Sequence, residues 1–103
     1  MEKKLNYTEV QPQMFHYETW VDTANENILK DLLEKIIISS GFTVVSFSEH
    51  YFPVKGYTCI WLLAESHVAL HTFPEKETSF VQVSSCNSEK LELFKQAPFL
   101  NTL

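Results

Sequence analysis

Residues 64–76 read AESHVALHTFPEK and place a carboxylate, a hydroxyl and two imidazoles close together, at Glu65, Ser66, His67 and His71. Thr58 lies upstream and Cys86 downstream of this run. An alcohol with an imidazole nearby is the inventory of nucleophilic and acid–base chemistry, and a thiol adds a group that can give and recover a proton. Taken singly, each residue also has an ordinary use. A serine at a turn satisfies backbone, a cysteine at a strand end packs as a small apolar group, and Glu75 after Pro74 suits a solvated turn.

Two familiar chemistries fit poorly. His67, His71 and Cys86 are acceptable zinc ligands, but their spacing matches no closed zinc pattern, so no metal is expected. Ser66 with His71 as a hydrolase pair lacks the Gly-x-Ser-x-Gly turn, and the chain is small for the scaffold that carries that turn.

These residues need elements to hold them. Phe15 to Val21 alternates as a strand, and Asp22, Thr23 and Asn25 offer caps, with Glu26 in a first helical turn. Ile28, Leu29, Leu32, Leu33, Ile36 and Ile37 share one helical face, and Gly41 supplies the stop. FTVVSFSEHYF reads as a strand, PVKG as a turn, and YTCIWLLAE as an apolar strand expected to be buried on both faces or nearly so. A break at Ser66 and His67 leads into the strand VALHTF, ended by Pro74. SFVQVSSC alternates as the last strand, and SEKLELFKQ reads as a short helix closed by Pro98. Residues 1–13, polar and containing Pro12, read as a loose arm or the lead-in to a strand. The order predicts a single α+β domain over 1–103: a two-layer sandwich with a mostly antiparallel sheet and its helices on one face.

The 103 residues include 45% hydrophobic and 20% charged side chains, ordinary for one small globular domain with one core. A net charge of −5, with all eight basic residues Lys, argues against a nucleic-acid partner and leaves no Arg for bidentate phosphate binding. Cys59 and Cys86 are expected as reduced thiols. The charged start MEKKLNYTEV lacks an apolar signal core and no run reaches membrane-spanning length, so a cytoplasmic protein with no membrane partner is expected.

The combination is more specific than its parts. AESHVALHTFPE followed by SSC resembles the self-processing segment of the S-adenosylmethionine decarboxylases of the short prokaryotic, pyruvoyl-dependent class. There Glu-Ser-His precedes a His-Thr-aromatic-Pro-Glu run and then a Cys. The resemblance extends over most of residues 15–90 and is densest from Phe52 to Cys86. It implies a proenzyme that cuts itself between Glu65 and Ser66 into fragments 1–65 and 66–103. Ser66 would attack the Glu65 carbonyl and become a pyruvoyl cofactor, whose carbonyl forms a Schiff base with the substrate amine.

The same resemblance implies that His71 is the processing base, Thr58 the assisting hydroxyl and Cys86 the proton donor to the product. It also implies that Phe52 and Phe73 sandwich adenine and that Glu75 binds the ribose hydroxyls. The partners implied are S-adenosylmethionine and a second copy of the chain, in a homodimer whose sites borrow residues across the interface. The product would serve spermidine synthesis. The chain departs from the family pattern at Thr58 (Ser), Phe73 (often Trp), Gln82 (often Asp) and Asn87 (Gly), and differs near Lys76. It is also shorter after Cys86. These departures leave two alternatives open: the same machinery acting on ornithine or arginine, or an unprocessed regulatory homologue. His67 receives no role.

Overall fold

The computed structural model describes residues 13–97. The chain forms β1 (Phe15–Val21), α1 (Glu26–Ser39), β2 (Val44–Tyr51), β3 (Tyr57–Leu63) and β4 (Ser66–Phe73). A 3-10 turn (Pro74–Lys76), β5 (Thr78–Ser85) and α2 (Ser88–Lys95) follow. Most of the arm expected over residues 1–13, and the helix-closing Pro98, lie outside the described residues.

The five strands form one sheet in the order β1-β5-β4-β3-β2, and every neighbouring pair is antiparallel. β1 and β2 therefore run parallel at opposite edges, and α1 carries the chain between them. Four strand spacings span roughly 19 Å, and a 14-residue helix is about 21 Å long, so α1 matches the width it must cross. Asn25 caps this helix, its Oδ1 accepting the Ile28 N–H at 3.1 Å. Gly41, at φ 94°, ends it in the left-handed conformation that glycine adopts freely.

Both helices lie on one face of the sheet. Leu29, Leu33, Ile36 and Ile37 of α1 and Leu91 and Phe94 of α2 join Tyr57, Cys59, Trp61, Leu63, Val68, Leu70, Val81 and Val83 in one buried cluster. This is the expected α+β sandwich.

β3 corrects the sequence expectation of burial on both faces. It alternates, with Tyr57, Cys59, Trp61 and Leu63 inward while Ile60 and Leu62 remain 43% and 48% exposed on the far face. The apolar run reads as doubly buried because that far face also carries apolar residues, although no helix among the described residues covers it. Ile28 likewise leaves the expected buried stripe of α1 and stays exposed. The break expected at Ser66 and His67 falls two residues earlier: Ala64 and Glu65 form the turn, and β4 begins at Ser66.

Candidate active site

The turn between β3 and β4 sets the geometry of the Glu65–Ser66 bond. Leu63 and Ser66 are cross-strand partners, so Ala64 and Glu65 make a two-residue connection. Glu65 occupies it at φ 65°, a left-handed conformation disfavoured for any residue bearing a Cβ. The Glu65 carbonyl oxygen accepts the Cys86 backbone N–H at 3.4 Å. A donor is therefore already aimed at the oxygen where negative charge would develop if the carbonyl were attacked.

Ser66 opens β4 with its side chain on the helical face, 6% exposed, and its hydroxyl donates to Ser85 Oγ at 2.7 Å. The Cys86 thiol lies just beyond β5 and donates to Glu65 Oε1 at 3.3 Å. That hydrogen bond, reinforced by desolvation and by the Glu65 charge, raises the thiol above its ordinary range. Glu65, Ser66 and Cys86 thus form one cluster. Cys59 is separate: it is buried in the core, and burial pushes its thiol up to about 11. Both cysteines are free.

The other predicted residues gather at the opposite end of the same strands. Thr58 and His71 are cross-strand partners, with Thr58 Oγ1 3.0 Å from His71 Nδ1. They line a cavity of about 350 Å³ with Phe52, Gly56, Phe73 and Glu75. Phe52 is held by its N–H to the Gly56 carbonyl at 3.0 Å, and Gly56 sits at φ 111°. Phe73 leans on Trp20, with ring centroids 5.6 Å apart. A larger groove of about 450 Å³ between α1 and α2 holds none of the predicted residues.

Within one chain these two groups do not meet. Five residues separate Ser66 from His71 on β4, roughly 17 Å of extended strand, and the odd spacing puts their side chains on opposite faces. The structure offers no Ser66–His71 hydrolase pair. His67 and His71 share the uncovered face, but four strand residues hold them roughly 13 Å apart, too far to chelate one ion. His67 lies in register with Ser84, whose hydroxyl is 2.7 Å from His16 Nδ1.

Sequence reading missed Ser85, the partner of the Ser66 hydroxyl. The alternation of SFVQVSS does place Ser85 inward, but only the β4–β5 register shows that it faces Ser66. It also missed Trp20, which backs Phe73 from a strand distant in sequence.

The model of the S-adenosylmethionine decarboxylase family matches residues 21–97 of the chain. The chain belongs to the S-adenosylmethionine decarboxylase family. It is similar to the S-adenosylmethionine decarboxylase proenzyme of Hydrogenobaculum sp. (strain Y04AAS1), 38% identical over 61 residues, covering 59% of this chain and 46% of that protein. It is similar to the proenzyme of Archaeoglobus fulgidus at 31% identity over 70 residues, 67% of this chain and 62% of that protein. The crystal structure of the adenosylmethionine decarboxylase from Aquifex aeolicus VF5 shares the fold. Its TM-score is 0.62 at 23% identity, covering 85% of this chain and 78% of that one. The chain spans about half the length of the first curated relatives it matches.

Proposed function

We propose that this member of the decarboxylase family is a self-cleaving proenzyme that converts Ser66 to a pyruvoyl group and then decarboxylates S-adenosylmethionine. One observation carries the reading: a left-handed Glu65 precedes a buried nucleophilic hydroxyl, and the Glu65 carbonyl already accepts the Cys86 N–H. In the first step a bond forms between Ser66 Oγ and the Glu65 carbonyl carbon, the peptide C–N bond breaks, and the hydroxyl proton passes to the freed nitrogen. Removal of the Ser66 Cα proton then expels the Glu65 carboxylate and leaves a dehydroalanine. Water replaces its nitrogen, and ammonia departs.

The residues present fit the group this produces. Ser66 heads a strand, its turn is strained, and a thiol lies beside its neighbour. The pyruvoyl group would supply the electron sink for loss of CO₂. The chain's own residues do the rest. Cys86, its thiol held protonated, returns a proton to the product carbon. Phe52 and Phe73 offer ring faces for a purine and for a positively charged sulfonium, and Glu75 accepts ribose hydroxyls. An aromatic pair with a carboxylate suits a nucleoside better than ornithine or arginine.

For His71 and Thr58 to act on Ser66, a second chain would have to supply them, and this supports a homodimer. The sheet face opposite the helices presents Trp20, Ile60, Leu62 and Phe73, over which no helix among the described residues is laid, a surface suited to a second copy. The free thiols agree with a reducing cytoplasmic setting, and no helix among the described residues is long and apolar enough to cross a membrane.

Intact-mass measurement tests the first part. The wild-type chain should yield fragments 1–65 and 66–103, the second lacking a free amine, and Ser66→Ala should stay whole. A wild-type chain that never splits ends the proposal. Co-expression tests the second part. His71→Ala and Ser66→Ala chains should each remain whole alone. Mixed in one dimer, the intact Ser66 of the first chain meets the intact His71 of the second, and the His71→Ala chain is cut. Absence of cutting in a mixed dimer would mean that His71 does not act across the interface.

A further inference from the structure

Ser85 is buried at 0% exposure, and its hydroxyl is fully committed. A serine hydroxyl has one proton and two lone pairs. The proton goes to the Asn87 carbonyl at 3.3 Å, one lone pair accepts the Asn87 N–H at 2.9 Å, and the other accepts the Ser66 hydroxyl at 2.7 Å. In this arrangement the Ser66 hydroxyl is the donor and the Ser85 oxygen the acceptor. The Ser66 oxygen is thereby held against Ser85, and no donor to it is found among the described residues.

Two consecutive residues hold the two reacting groups. The Ser85 side chain fixes the nucleophilic oxygen, and the Cys86 N–H fixes the oxygen of the carbonyl to be attacked. The pair is anchored in turn by α2. Asn87 accepts the Lys90 N–H on Oδ1 at 3.0 Å as the helix cap, while its backbone holds the Ser85 hydroxyl. Without its bond to Ser85 the Ser66 hydroxyl, at a strand end, would rotate among its staggered positions.

We propose that Ser85 is a positioning residue for the self-cleavage, orienting the Ser66 hydroxyl for attack on the Glu65 carbonyl. In this role Ser85 accepts a hydrogen bond and transfers no proton, its own hydroxyl pointing at the Asn87 carbonyl. The inference rests on the self-cleavage reading above and assigns a part in it to a residue outside the predicted set.

The test follows cleavage of freshly purified full-length chain by intact mass, with hydroxylamine added to trap any ester between Glu65 and Ser66. Ser85→Ala should slow splitting roughly tenfold or more, the scale of a misplaced reacting group, and the chain that accumulates should resist hydroxylamine because the ester has not formed. Ser85→Thr, which restores a hydroxyl, should recover most of the rate, a rescue that a packing defect would not give. If Ser85→Ala does not fold, Ser85→Cys under reductant keeps the volume while weakening the acceptor, and it should be slow in the same way. Splitting at the wild-type rate in the folded Ala or Cys variant overturns the inference, as does accumulation of a hydroxylamine-sensitive ester, which would place the defect after the attack. A wild-type chain that stays whole ends the parent reading as well; a wild-type chain that splits while the Ser85 variants keep pace ends this one alone.

Discussion

At the scale of single residues, Glu65 acts on both sides of the bond that follows it. Its backbone is held in a conformation that cleavage would release, and its side chain binds the thiol proposed as proton donor. Because the Cys86 pKa is raised, the thiol stays protonated through neutral pH and loses its proton only above the ordinary thiol range. With the Glu65–Cys86 contact kept after the cut, decarboxylation by the processed protein should therefore hold up into alkaline solution before falling. Glu65→Gln keeps a hydrogen-bonding side chain but removes the charge, so the alkaline fall in a pH–rate profile should move to lower pH; an unmoved profile would separate Glu65 from the donor. Cys86→Ala should still split but lose about 100-fold or more in turnover, as expected for a missing general acid.

Ser66, His71 and Cys86 stood out in the sequence through the resemblance to the decarboxylase family; the structure gathers Ser66 and Cys86 around Glu65 and sets His71 apart. The part proposed for Ser85 was not legible there, since a serine before a cysteine carries no signal until strand register sets it opposite Ser66. Nor could spacing show that His71 and Ser66 face away from each other, because the start of β4 depends on where the turn falls.

At the scale of elements, the α1 cap and stop, the five strands and α2 were readable from periodicity and turn residues. β3 was misread because Ile60 and Leu62 are apolar without facing the helices, and a run of apolar residues looks the same whether the second face meets a helix or a surface left open. The turn from Phe52 to Gly56 illustrates how an element positions a side chain. A Cβ at Gly56 would lie 3.5 Å from the Phe52 ring, tolerable in space, but φ 111° is strained for any other residue. Gly56→Ala should cost about 1 kcal/mol or more, lowering the melting temperature by about 4–8 °C per kcal/mol. The same change should raise KM for S-adenosylmethionine, since Phe52 lines the cavity. Calorimetry and steady-state kinetics check the two effects separately.

At the scale of the whole molecule, the order β1-β5-β4-β3-β2 has a consequence for a chain cut after Glu65. The 66–103 piece supplies β4 and β5, and the 1–65 piece supplies β1, β2 and β3, so the shorter piece is wedged between strands of the longer one. Both of its strands are laced to the other fragment, β5 to β1 and β4 to β3, and without it the longer piece is left with β1 parted from the β2–β3 pair. Maturation would thus turn a one-chain folding equilibrium into an association between two peptides, in which mass action stabilises the native state. The melting temperature of the split protein should climb with protein concentration, whereas that of Ser66→Ala, still covalently whole, should depend on concentration only through dimerisation. Dilution after denaturation should return the whole chain far more readily than the two halves, so the cut that would create the cofactor would also leave a protein that folds well only once.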